Sequence, residues 1–398
     1  MNADKLAFIK RRSKELLPEL ITLRRYFHAH PELSFEESNT ARHIAEILNQ
    51  NKISYTGSWA GHGIVAVIEG QHPDKNCIAL RADMDALPIT ESNQTSYKST
   101  NTGVMHACGH DVHMTSLLGA ARILNEMKDL FSGTIKIIFQ PGEEKLPGGA
   151  SIMIQEGVLQ EPQPSCIIAQ HVYPSLDAGK AGIRPSLYMA SADEIYLTIT
   201  GKGGHAAMPQ DCKDAVLATA HILTSLQQIV SRLCPPAIPS VLSFGKIYSE
   251  GGATNVLPDR VFVEGTFRTM DESFREKAHQ EISQCARDVA RAFGTECEVH
   301  ISKGYPCLVN DEQLTRQIKS DIISFLGEEN VVDLPLRMTS EDFAFYTQQI
   351  PGCFYRLGTG NYEKGINAPV HTSNFDIDEQ ALETGAGLMA WLAVNRLT

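Results

Sequence analysis

From Lys5 to about His28 apolar and charged residues mix at helical spacing, and the pattern stops before His30-Pro31, where proline disfavours further helix. Ser34 and Glu37 have the spacing of a capping box, so a second helix is expected after them, with Ile44, Ile47 and Leu48 on its apolar face. Then come short apolar runs at Gly63–Ile68 and Cys77–Leu80, a helix from about Val112 to Met127, and the run Thr134–Phe139. Alternating strand and helix predicts an α/β sheet with helices on its faces.

The pattern changes between about Asp193 and Ser302. Ile195, Leu197 and Ile199 alternate as in a half-buried strand, and a helix is expected over Asp214–Leu233, with Leu223, Leu226 and Val230 on one side. Strands follow at roughly Ser240–Tyr248 and Arg260–Arg268. Phe274, Ala278, Ile282, Cys285 and Val289 then mark a helix ended by Gly294, and Glu296–Ile301 alternates again. The order is βαββαβ, a split-βαβ domain. What remains is a helix at 311–325, a strand near 353–357 and a last helix at 377–396, too little to stand alone. The expected organisation is one domain from residues 1–189 and 303–398, interrupted by a second at 190–302.

At 398 residues and 42% hydrophobic content the chain can bury a core in each domain. A formal net charge of −12 leaves no basic stripe for a phosphate backbone, which argues against nucleic acid as a partner. The opening MNADKLAFIKRRSKELLPEL lacks the apolar core and small-residue cleavage site of a secretory signal, and no run reaches the roughly 18 apolar residues of a membrane span. Nine cysteines without a CxxC pair suit reduced thiols, so a cytoplasmic location is expected.

The densest chemistry is His106-Ala107-Cys108-Gly109-His110-Asp111-Val112-His113, three imidazoles and a thiol just before a helix. Thiolate and neutral imidazole are usual ligands of zinc and similar ions, and a structural finger would need a second close ligand pair that is missing. A helix-capping loop with incidental histidines is the bland alternative. Glu143 and Glu144 follow the run Thr134–Phe139 and a Pro-Gly turn, a place where side chains reach the crevice of an α/β sheet. One could bind metal while the other moves protons; a solvated surface pair is the competing account. Asp83 and Asp85, two apart at the end of another apolar run, would face the same side at strand geometry. His171 and His371, each ordinary alone, gain weight only from this ensemble.

The ordered motifs DMDALP, HACGHDVHM, QPGEE, AQHVYP, GKGGHAAMP, GGATNVLPD, GTFRT, SEDFAFY and APVHTSNF resemble the metal-dependent amidohydrolase family of hippurate hydrolase, N-acyl-amino-acid amidohydrolases and hydrolases of indoleacetyl-amino-acid conjugates. That family lies within the clan of co-catalytic zinc aminopeptidases and carboxypeptidases, and the likeness runs from Arg24–Glu37 to the last helix. The resemblance implies a zinc-aminopeptidase-like catalytic domain, a mixed sheet flanked by helices, and an inserted ferredoxin-like βαββαβ lid that can mediate a homodimer. It implies two divalent ions, zinc or manganese, with cobalt and nickel as further choices. Their ligands would be Cys108, His110, Glu144, His171 and His371, with Glu143 as general base and Asp85 orienting a ligand. Asp83 departs from the wider clan's His-x-Asp pair, and Cys108 falls where that clan often has a bridging aspartate. In the lid, His205 would stabilise an oxyanion, while Asn255 and Arg268 would contact substrate. An arginine fork suits the free carboxylate of an N-acyl amino acid. Gln210 stands where the family's lid motif often has histidine.

Such a site makes chemical sense for amides, since paired divalent ions lower the pKa of bound water and polarise a carbonyl. Hydrolysis of small N-acyl amino acids is the activity that the resemblance implies. A dipeptidase or carboxypeptidase of the same clan, an N-acetyl-diaminopimelate-type deacetylase and a catalytically silent metal-binding protein are the alternatives. A nucleobase deaminase would need a Pro-Cys-x-x-Cys segment, which the chain lacks.

Overall fold

The computed structural model describes residues 2–251 and 253–397, and the chain divides into two compact units. One comprises the chain up to Ser186, Val309–Pro335 and the chain from Asp342 onward; the other comprises Leu187–Leu308 and Leu336–Glu341. Among the described residues no helix is long and apolar enough to cross a membrane.

The first unit is built on eight strands: β1 (Ser54–Trp59), β2 (Gly63–Glu69), β3 (Cys77–Asp83), β4 (Thr134–Gln140), β5 (Ile167–Asp177), β6 (Ala181–Ile183), β7 (Val331–Asp333) and β8 (Gly352–Gly360). They lie in the order β1-β2-β4-β3-β5-β8-β6-β7. The stretch β4-β3-β5-β8 is parallel, whereas β1 and β2 run antiparallel at one side and β6 is antiparallel to β8. Every residue of β3 and β4 is buried, which is why both appear in the sequence as apolar runs without alternation. Strand β3 extends past its apolar run because Arg81 and Asp83, two apart on one face, neutralise each other at 2.6 Å. From β3 the chain passes to β4 on one side and then to β5 on the other, so a topological switch point lies at the carboxyl ends of these strands.

The helices of this unit include α1 (Asn2–Ala29), α2 (Ser38–Gln50), α3 (His110–Glu126) and α4 (Ala381–Arg396), with a further long helix at Glu312–Leu326. Helix α3 packs on both α1 and α4, which explains why it is buried nearly all round. Its start is fixed by charge as well as packing. Buried Asp111 accepts from Arg24 Nε at 2.8 Å and pairs with His28 Nδ1 at 2.7 Å, tying the first turn of α3 to α1.

The capping box expected at Ser34 and Glu37 does not form. Glu37 occupies the N-cap position of α2 without a side-chain cap bond. Glu32 caps instead, accepting the backbone N–H groups of Asn39 and Thr40 at 3.2 and 2.8 Å. Ser34 and Glu37 have distant partners in Asp85 and Gly142, and these outcompete the local pairing that their spacing suggests.

The second unit has the topology read from its sequence. Its antiparallel sheet runs Ser240–Ser249, Arg260–Thr269, Asp193–Thr200, Glu296–Lys303, and the helices Ala215–Leu226 and Glu272–Ala292 pack on each other and on the sheet. This is the ferredoxin-like arrangement. Ile195, Leu197 and Ile199 are buried with Val261, Val263 and Phe267 in a core separate from that of the first unit. The helix expected over Asp214–Leu233 ends at Leu226 and gives way to a π-helical turn at Ile229–Leu233 ahead of Pro235-Pro236.

Candidate metal centre

Four chain segments in the first unit bring the sulfur, nitrogen and oxygen donors together. The loop before α3 supplies Cys108 and the first turn of α3 supplies His110. Gly109 between them has φ +84°, and a Cβ there would lie 2.6 Å from the Val172 side chain, so this turn requires glycine. Strand β5 supplies His171, and the turn after β4 supplies Glu143 and Glu144. His371, in a loop ahead of α4, has φ +64° and is held by its backbone N–H, which donates to the Ala107 carbonyl at 2.8 Å.

The donor atoms converge on Cys108. Its Sγ lies 3.4 Å from His171 Nε2 and 3.3 Å from His371 Nε2, and Glu144 Oε1 lies 3.2 Å from His371 Nε2. Ligand atoms sharing one tetrahedral ion at ordinary zinc bond lengths sit about 3.3–3.6 Å apart, so these spacings fit a common cation. Among the described residues five groups of three have their donors mutually close enough to hold an ion, and two of them contain Cys108: Cys108 with His110 and His171, and Cys108 with Glu144 and His371. The thiol belongs to both. His110 Nε2 and Glu144 Oε1 are buried without a hydrogen-bond partner, the arrangement expected of atoms placed to bind a cation.

Tautomers follow from the other ring nitrogens. His171 Nδ1 donates to the Val172 carbonyl at 2.8 Å, leaving the Nε2 lone pair toward Cys108. His110 Nδ1 lies 3.2 Å from Asp85 Oδ1, so the carboxylate orients the ring and its Nε2 is available for metal. His113 differs. Its Nδ1 bonds Asp83 at 2.5 Å and its Nε2 accepts the Val172 N–H at 2.9 Å, which consumes both nitrogens and makes it a brace rather than a ligand. His106 is fully buried with neither nitrogen partnered, and burial pushes it down to about 4, so it is neutral.

The electrostatics also call for cations. Burial, reinforced by Glu144 and Glu143, raises the Cys108 thiol well above its ordinary range. For His110, burial opposes protonation, yet Asp83 and Asp85 overcome it and lift the ring to about 10. These shifts reflect a crowd of buried carboxylates that draws positive charge, which a divalent cation would supply in place of protons. Asp83 stays ionised despite burial because His110, Arg81 and His113 surround it.

Glu143 stands beside these ligands, its carboxylate within 4.8 Å of the His110 and Glu144 donors. It is buried, and Oε1 accepts the Asp342 backbone N–H at 3.4 Å. Asp342, within the SEDFAFY motif, also takes Arg81 Nη2 at 2.7 Å and Gln140 Nε2, locking the ends of β3 and β4 to each other. Neither Arg81 nor Asp342 was singled out by sequence reasoning, although both lie in segments whose unusual polarity beside apolar runs was a signal.

The remaining candidates belong to the second unit. His205 is exposed in a two-residue strand, Gly204–His205, paired with Val256–Leu257, rather than in a plain turn. The neighbouring Asn255 is exposed, and its carbonyl accepts the Ala206 N–H at 3.0 Å. Arg268 lies at the end of its strand, half-buried, and donates to Ser340 Oγ at 3.0 Å.

Comparison with known proteins bears on this geometry. The profile described as Peptidase family M20/M25/M40 matches residues 79–395. The chain is 40% identical over 305 residues to an N-acyl-L-amino acid amidohydrolase of Geobacillus stearothermophilus, covering 77% of this chain and 81% of the relative. It is 36% identical over 395 residues to thermostable carboxypeptidase 2 of Saccharolobus solfataricus, covering 98% and 99%. A solved structure from Bacillus subtilis, described as a dinuclear metal binding peptidase from the M20 family, aligns at a TM-score of 0.82 and 32% identity over 96% of this chain and 99% of that one.

Proposed function

This chain belongs to peptidase family M20/M25/M40 and is a hydrolase, and on that footing we propose that it cleaves the amide bond of N-acyl amino acids, releasing a carboxylic acid and a free amino acid. The observation that carries the proposal is the pair of three-ligand groups sharing Cys108, with an additional carboxylate, Glu143, beside them. Cys108, His110 and His171 would hold one divalent ion, and Cys108, Glu144 and His371 the other. When bound, such ions supply Lewis acidity, activating water and polarising the scissile carbonyl.

The protein's own groups do the rest. Glu143 takes the water proton on its carboxylate as attack begins and delivers it to the departing amine nitrogen, both steps being within reach of one carboxylate in sequence. Asp85 Oδ1 keeps the His110 ring turned so that Nε2 faces the ion. In the second unit, His205 stabilises the oxyanion and Asn255 and Arg268 bind the substrate's carboxylate end. The planar guanidinium of Arg268, engaged at Nη1 by Ser340, keeps a second edge suited to a carboxylate. The nine free cysteines support a cytoplasmic location.

A second reading, cleavage of peptides from their carboxyl end, has support in the carboxypeptidase relative. One panel separates the two. Chelator-stripped protein reloaded with zinc, manganese, cobalt or nickel is offered N-acetyl, N-benzoyl and indoleacetyl amino acids beside dipeptides. We expect kcat/KM for the best acyl compound to exceed that for any dipeptide by at least about tenfold, a difference of about 1.4 kcal/mol in transition-state binding. A reversed preference supports the peptidase, and inactivity on every compound supports a binding protein.

The same reading includes a homodimer through the second unit. Its edge strand Ser240–Ser249 exposes Val241, Tyr248 and Ile247, the last 57% exposed, and an open edge of this kind is a template for pairing. Sedimentation velocity at micromolar protein is expected to give a dimer, converted to monomer by Ile247→Lys; a monomeric wild type would rule the dimer out.

A further inference from the structure

We infer that the segment Glu32–Glu37 is a strap that fixes both the orienting carboxylate and the metal-binding turn, with Ser34 and Glu37 as positioning residues. This rests on the roles proposed above for Asp85, Glu143 and Glu144. The strap is anchored by backbone: Leu33 forms a parallel bridge with Ala86, whose N–H donates to the Glu32 carbonyl at 2.8 Å. From there two arms reach the site. Ser34 Oγ donates to Asp85 Oδ2 at 2.6 Å, and the same oxygen accepts the Glu144 N–H at 2.9 Å. Glu37 Oε1 accepts the Gly142 N–H at 2.8 Å, immediately before Glu143.

Between the arms sits Phe35, a non-glycine residue at φ +67°. Its ring lies so close to Gly142 that a Cβ there would approach it to 2.4 Å, and Gly142 itself has φ +64°. A left-handed backbone in a bulky residue persists only where its surroundings impose it, and here the two arms do so. Ser34, Glu37 and Asp85 are all buried. Helix α2 takes its cap from Glu32, so neither arm is needed to start that helix. Asp85 Oδ1 meets His110 while Oδ2 meets the strap and the Glu144 backbone, so one carboxylate transmits the strap's position to two proposed ligands.

The test uses the full chain loaded with cobalt(II), whose absorption reports ligand geometry whether or not the protein turns over. Glu37→Ala is expected to lower kcat by about 10- to 100-fold with KM changed less than about threefold, and to shift the cobalt bands. Glu37→Gln retains an oxygen that can accept the Gly142 N–H and is expected to restore both readouts to near wild type. If Glu37→Ala does not accumulate as folded protein, Ser34→Ala, which removes one hydroxyl, carries the same expectation for kcat and spectrum. A strap that served stability alone would lower Tm but leave kcat and the cobalt bands unchanged, and that result overturns the inference. So does a Glu37→Gln variant as impaired as Glu37→Ala. If wild type cleaves no acyl amino acid, the proposed activity fails, and the cobalt spectra still judge the strap.

Discussion

Replacing Glu143 by glutamine is expected to lower kcat by about 100- to 10,000-fold while the protein still takes up its metal, the range found when a positioned acid–base group is removed. Glutamine preserves the size of the side chain and the oxygen that accepts the Asp342 N–H, so the site keeps its shape. It cannot accept a proton from water. The donor groups that include Cys108 are complete without Glu143, so metal content measured on the purified variant should match wild type. Near-normal turnover by this variant would remove Glu143 from the proton path. Loss of metal together with turnover would instead make it a ligand.

Cys108→Ala should have the broadest effect on metal, because the same sulfur lies in both of the groups proposed to hold an ion. Each group then keeps two donors, and we expect affinity to fall by at least about 100-fold at both positions. His371→Ala removes a donor from one group only and should leave one equivalent bound. Thermal unfolding gives a direct reading. A ligand at 100 times its Kd stabilises the folded state by about 2.7 kcal/mol, so the rise in Tm on adding metal should vanish in Cys108→Ala and persist in part in His371→Ala. Two equivalents bound to Cys108→Ala with wild-type affinity would contradict a shared thiolate.

The ligand cluster was legible because cysteine and histidine at that density, next to a helix start, have few structural uses. The second unit was legible for another reason. Its sheet buries one face, so Ile195, Leu197 and Ile199 alternate with exposed positions and the period can be read directly. Strand β1 left no such trace, since Ser54–Trp59 lies at the sheet edge with every residue at least partly exposed. What the sequence concealed was long-range. Ser34 and Glu37 sit at capping-box spacing, yet their partners Asp85 and Gly142 lie 51 and 105 positions away, and no local pattern separates the two outcomes. The same holds for His113, whose neighbours in sequence suggest a ligand and whose bonds to Asp83 and Val172 make it a brace.

If two ions held through one thiolate serve amide hydrolysis, turnover requires both. The deciding experiment adds manganese or zinc in measured equivalents to chelator-stripped protein while following amino-acid release from the best N-acyl substrate. Release is expected to be negligible without metal, with a rate that climbs to its maximum as the second equivalent binds. Full activity in protein verified to be metal-free, or a maximum reached at one equivalent, would contradict that requirement.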